Sequence, residues 1–76
     1  MDPKLKAYPY EQGFEIAGNR EGLRELARVC LVLAELPEDP DESKRLGNHH
    51  HFDEFLTQGL VEEGSIPFII LYKPNL

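Results

Sequence analysis

The stretch that decides the fold is Gly13 to Leu36, GFEIAGNREGLRELARVCLVLAEL, where a period-two apolar pattern changes at Gly18-Asn19 into a helical one. Within Gly13 to Ala17, Phe14 and Ile16 share one face while Glu15 points to the other, the pattern of a half-buried strand. Gly18-Asn19 supplies the turn, and an Asn side chain at that point accepts a hydrogen bond from the first free helix amides. Glu21 follows in the first turn, where a carboxylate suits the positive end of the helix dipole.

Advancing about 100° per residue from Leu23, residues Leu23, Leu26, Ala27, Cys30, Leu33 and Ala34 fall in one stripe that is expected to lie on a sheet. Val29, Val32 and Leu36 cluster on a second, nearly opposite side, where a surface helix is normally polar. This second stripe is expected to be covered by the N-terminal arm or by another subunit, and it is the candidate surface for self-association.

Working outward, residues 1–12 read as an extended arm, with Lys4, Lys6, Tyr8 and Tyr10 set around two prolines. Pro37 ends the helix, and the acidic, proline-containing run of residues 37–46 is expected to be an exposed irregular loop. Gly47 to Phe52 reads as a strand with His49 and His51 on one face and His50 and Phe52 on the other. Asp53 to Glu63 is a longer connection in which Phe55, Leu56 and Leu60 are expected to tuck in as a helical turn. Ile66 to Tyr72 is a strand apolar on both faces, so neither face is expected to be freely solvated.

The expected fold is therefore a single α+β domain spanning residues 1–76, ordered βαββ. Its three-stranded, mainly antiparallel sheet has the order 1-3-2, with one long helix packed on one face. One helix cannot cover both faces of such a sheet, which makes the second face, edged by Tyr8 and Tyr10, a further candidate for an isologous homodimer.

A chain of 76 residues buries only roughly 60–65% of its unfolded surface, so its core is marginal. The lone Cys30 excludes an internal disulfide and leaves metal or partner as the sources of added stability. Fourteen acidic against 8 basic residues, a formal charge of −6, disfavour direct binding to a phosphate backbone. The same charge suits a basic protein partner by steering encounter. The N-terminus lacks the apolar core of a signal peptide and no apolar run is long enough to span a bilayer. A cytoplasmic location away from membranes is expected, and a free thiol agrees with a reducing compartment.

Chemistry-bearing residues are few. Alternate residues of a strand share a face, so His49, His51 and Asp53 are the candidate metal ligands, two imidazoles and a carboxylate. They lack the spacing of a helical HExxH site, and strand hydrogen bonding or interface formation accounts for them better, so no metal is assigned. Cys30 lies on the stripe expected to be buried, where a thiol behaves as a small apolar residue. A Cys30–His50 pair would be half of a thiol-protease arrangement with no orienting third group. Ser65 lacks the flanking pattern of a nucleophile elbow. Gly18-Asn19-Arg20-Glu21-Gly22 falls short of any phosphate-binding motif and reads as a cap. No catalytic residue and no cofactor is assigned.

The strings FEIAGNREGLRELARVCLVLAE, NHHHFDEF and GSIPFIILYKP, covering most of residues 13–74, resemble the immunity protein 32 family of bacterial polymorphic toxin systems. The distinctive parts are the Gly18-Asn19 turn with Gly22-Leu23, the His51 to Asp53 segment and the Gly64-Ser65 entry to the last strand. The resemblance implies a non-catalytic, cytoplasmic protein that binds a cognate toxin and blocks it stoichiometrically. The surfaces expected to make that contact are Glu38, Asp39, Asp41 and Glu42 in the acidic loop, with His49, His51 and Asp53 on the histidine strand. The competing readings are a homodimeric structural or regulatory domain and a His-rich metal-binding protein.

Overall fold

A computed structural model describes residues 2–76 and orders them as β1 (Leu5–Tyr10), β2 (Gly13–Gly18), α1 (Arg20–Ala34), α2 (Pro40–Leu46), β3 (His49–Phe52) and β4 (Phe68–Leu71). The strands form two separate two-stranded antiparallel sheets, β1-β2 and β3-β4. This replaces the expected three-stranded 1-3-2 sheet with its single helix.

The N-terminal arm is the cause. Residues Leu5 to Tyr10 are a strand paired with β2 over its whole length, from Leu5↔Gly18 to Tyr10↔Gly13, across the two-residue turn Glu11-Gln12. A hairpin this local costs far less loop-closure entropy than a partner some fifty residues away, so β2 is satisfied by its neighbour rather than by β4. Alternation places Leu5 and Ala7 on the inner face, opposite Gly18 and Ile16, and both are buried. Lys6, Tyr8 and Tyr10 belong to the outer face.

The other edge of β1 is covered by residues 60–66. Leu5 N donates to Leu60 O and Leu5 O accepts from Glu62 N, while Ala7 O accepts from Ile66 N. Leu5 also forms a parallel bridge with Val61. Ser65 Oγ accepts from Ala7 N at 2.8 Å and donates to Ile66 O at 3.0 Å, so this buried hydroxyl serves as a side-chain rung of the edge. Backbone groups of alternate residues point the same way, so Pro9 faces this side beyond the last rung, where no donor is needed.

Helix α1 begins as its sequence dictates, with Asn19 Oδ1 accepting from Gly22 N at 2.8 Å. Its inner stripe is Gly22, Leu26, Val29 and Leu33, continued by Leu36 just past the helix, and shares only Leu26 and Leu33 with the expected one. Val29 (5% exposed) and Leu33 (6%) are buried in the core with Leu5, Phe52 and Val61, and Leu26 and Leu36 pack against them. Leu23, Ala27, Cys30 and Ala34 lie on the solvent side. The helix is apolar over more than half its circumference, and the position of the β1-β2 hairpin selects which part is covered. Gly22 sets that position: a Cβ there would collide with the Lys4 carbonyl, so the strand entry and the helix touch backbone to backbone.

The second hairpin closes the core from the other side. Register Phe52↔Phe68 and His50↔Ile70 puts these four on the inner face. The Phe52 and Phe68 rings stack at 4.9 Å with an 8° interplanar angle, a contact in the range of favourable aromatic pairs.

Helix propensity alone favours alanine over glycine inside a helix by about 1 kcal/mol, so Gly22→Ala has a diagnostic sign. Collision with the Lys4 backbone reverses it, and the variant is expected to lose about 2 kcal/mol or more. In urea and thermal unfolding this appears as a lower denaturation midpoint, by roughly 8 °C or more; an unchanged or raised midpoint would refute the seating of the hairpin on α1.

Candidate functional site

The acidic run is a helix where an irregular loop was expected over residues 37–46. Pro40 occupies the first turn of α2, and Asp39 caps it, its carboxylate accepting from Asp41 N at 2.9 Å and Glu42 N at 3.3 Å. Asp41 and Glu42 complement the positive end of the dipole and Lys44 and Arg45 the negative end, with Gly47 (φ 94°) as the left-handed cap. Two prolines argued for a loop, but Pro40 stands at the one helical position where a missing N–H costs nothing. Glu38, Asp39, Asp41 and Glu42 are all exposed. Glu42 reaches Arg45 at 3.8 Å across one turn. Ser43 is fully buried and donates to Pro40 O, pinning the helix from below.

Beside α2 lies a shallow cleft of about 210 Å³, lined by Asp41, Ser43, Asn48, Tyr72 and Pro74 among others. Asn48 and Tyr72 directly flank β3 and β4, and Tyr72 N donates to Asn48 O at 2.8 Å. The acidic helix and the start of the histidine strand are therefore neighbours.

On β3, His49 and His51 point outward with Leu71 and Ile69 as their cross-strand partners. Their rings meet edge to face at 5.0 Å. Asp53 does not join them, because its carboxylate is committed to the following turn, accepting from Phe55 N at 2.8 Å and Leu56 N at 2.6 Å. Among the described residues no group of three or more His, Cys, Asp or Glu side chains is placed to hold a metal ion. His50 turns inward against Phe52 and lines a hollow of about 130 Å³ with Arg28, Val29 and Val32. Cys30 is exposed on the other flank of α1, away from that hollow.

The three aliphatics assigned to self-association are divided by the fold. Val29 belongs to the chain's own core, Leu36 packs on it, and Val32 is 55% exposed. Phe55 and Leu56, expected to tuck inward, face solvent instead, while Leu60 of the same connection packs on the core. The signal for that outcome was the Asp53/Thr57 spacing. Thr57 Oγ1 accepts from Asp53 N at 3.0 Å and donates to Asp53 O, so a local cap rather than burial shapes the turn.

Two surface pairs have shifted titration. Glu25 is held below its ordinary value chiefly by its hydrogen bonds from Arg28, which outweigh a desolvation effect in the other direction, with lesser help from the Arg28 charge and from His50. Tyr8 donates to Glu15 Oε2 at 2.6 Å across the hairpin, and this bond, then desolvation, then the Glu15 charge raise its phenol above the ordinary value. A raised folded-state pKa means the stabilising bond is fully present below the unfolded value, about 10, and is lost as pH rises through the folded one. Glu15→Gln is expected to move Tyr8 ionisation to lower pH, read as phenolate absorbance in an alkaline titration; an unshifted curve would contradict the pairing.

Comparison with curated proteins and with solved structures gives no match. The family model described as Immunity protein 32 matches residues 14–74, a span that contains all but the first residue of β2, both helices and the β3-β4 hairpin. With most of its length covered by that match, the chain belongs to the Immunity protein 32 family.

Proposed function

We propose that this protein is a non-catalytic immunity protein that binds a cognate toxin in the cytoplasm and neutralises it by occupying its surface. Family membership is the observation that carries the reading. The site geometry supports it: the polar groups lie spread over exposed faces, the arrangement of a contact surface. Asp41 of the acidic group Glu38, Asp39, Asp41 and Glu42 shares a cleft with Asn48, which directly precedes the strand of the outward His49 and His51, and Asp53 follows the far end of that strand. A basic toxin surface is the complementary partner for a chain of net charge −6.

Coexpression with the toxin encoded by the adjacent gene is the direct test, with restored growth expected and continued killing counting against the reading. The triple variant Glu38→Gln, Asp41→Asn, Glu42→Gln keeps the side-chain shapes while removing three charges. Rim charges act mainly on encounter, so its association rate is expected to fall roughly tenfold and to lose part of its salt dependence, measured by stopped-flow or surface-based kinetics. An unchanged rate and salt slope would remove α2 from the contact.

A second reading, a homodimeric structural or regulatory domain, is favoured by the uncovered side of α1. Leu23, Ala27, Cys30, Leu31 and Ala34 form an apolar strip there, Leu31 being 64% exposed. A two-fold pairing of α1 along this strip would bring Cys30 against its own copy. Light scattering is then expected to report a dimer that oxidation traps through Cys30 and that Leu31→Glu dissociates; a monomer at high concentration would exclude it.

A further inference from the structure

The turn after β3 is tied by local hydrogen bonds at its backbone and apolar at its tip. Asp53 Oδ1 holds Phe55 N and Leu56 N, and Asp53 O holds Thr57 N at 3.0 Å. Thr57 O in turn accepts from Leu60 N and Val61 N, both at 3.1 Å. Val61 is buried and Leu60 packs on the core, so the base of the turn is anchored to the domain. From this base Phe55 projects at 77% exposed and Leu56 at 70%. Single exposed apolar residues are ordinary, but two large ones side by side, both with their amides bonded to the Asp53 carboxylate, have no role in the chain's own packing.

We propose that Phe55 and Leu56 form a pre-organised anchor that inserts into an apolar pocket with a basic rim on the toxin; this rests on the toxin-binding reading above. Fixing the turn in advance removes much of the ordering cost of binding, and a buried aromatic at the centre of a contact typically carries a large share of its energy. Charge selects the occupant. Residues 52–72 contain Asp53, Glu54, Glu62 and Glu63 and no Lys or Arg. Two ammonium groups lie at the base of the turn, away from its tip: Lys4, bonded to Gly59 O at 3.1 Å and within 3.9 Å of Glu62, and Lys6, beside Gly64. A second copy would bring the same acids against these, and an anionic membrane would repel them, whereas a basic rim would attract them.

The test uses the full chain, with the purified, catalytically inactivated toxic domain encoded by the adjacent gene as probe. Phe55→Ser and Leu56→Ser remove only exposed side chains, so their thermal midpoints are expected to match the parent. Calorimetric affinity for the probe is expected to fall about tenfold or more for Phe55→Ser and less for Leu56→Ser. Parent-like affinity in both variants, with the parent chain still binding, would overturn the anchor and leave the toxin reading standing. A parent chain that fails to bind the probe would overturn both. A parent dimer that Phe55→Ser converts to monomer would assign the tip to a second copy and overturn the proposal.

Discussion

Everything in this small fold converges on the peptide of Lys4. Its N–H donates to Asn19 Oδ1 at 3.0 Å and its carbonyl accepts from Asn19 N at 3.1 Å, while the same Asn19 oxygen caps Gly22 of α1. One residue later, Leu5 is buried and holds the 60–66 segment through both its backbone groups. Hairpin, helix and the C-terminal connection therefore meet at two consecutive residues. The contact requires a glycine at position 22, because any side chain would occupy the volume of the Lys4 backbone. The Asn19-to-Gly22 spacing thus does more than start a helix: it docks a strand onto one.

Two two-stranded sheets share one helical stripe, which is an economical but thin arrangement. A lone hairpin is marginal in water, and both hairpins here send a residue, Leu5 from the first and Phe52 from the second, into the core that Val29 and Leu33 of α1 complete. A strip of the helix, Leu23, Ala27, Cys30, Leu31 and Ala34, stays apolar and uncovered, as do Ile69 and Leu71 on the back of the β3-β4 hairpin. For a chain of this size such an architecture leaves apolar area for a partner, and any partner that binds only the folded state adds to its stability by mass action.

The exposed groups divide by how firmly they are held. The carboxylates of α2 sit at fixed heights on a capped helix, and the two outward imidazoles are fixed by the strand. Phe55 and Leu56 are fixed by a network of turn hydrogen bonds. Long, paired side chains such as Arg24 and Arg28 are instead engaged with Glu21 and Glu25 along the solvated side of α1, where ion pairs contribute little. A recognition surface drawn from the first group costs less order on binding than one drawn from the second.

What the sequence by itself determined is local. The strand at Gly13, the Asn19 cap and the length of α1 follow from period, capping chemistry and the stop at Pro37, all of which act within a few residues. The strand at His49 to Phe52 lies within a segment read by alternation and that at Phe68 to Leu71 within a short, continuous apolar run, and the family likeness comes from strings of the same kind. What only the tertiary structure decided is which surfaces meet. A helix apolar over more than half its circumference has no inner face until a hairpin sits on it, so the assignment of Leu23, Ala27, Cys30 and Ala34 to the core and of Val29 to an outer stripe reversed. The arm looked like a tail because Leu5 and Ala7 are a short apolar alternation among lysines, tyrosines and prolines; it became a strand because β2 lay one tight turn away. Asp53, a candidate ligand by spacing alone, caps the turn after β3, and Phe55, expected to tuck inward, faces water. A carboxylate takes the nearest free amides, and long-range packing alone determines which side chains are left facing water.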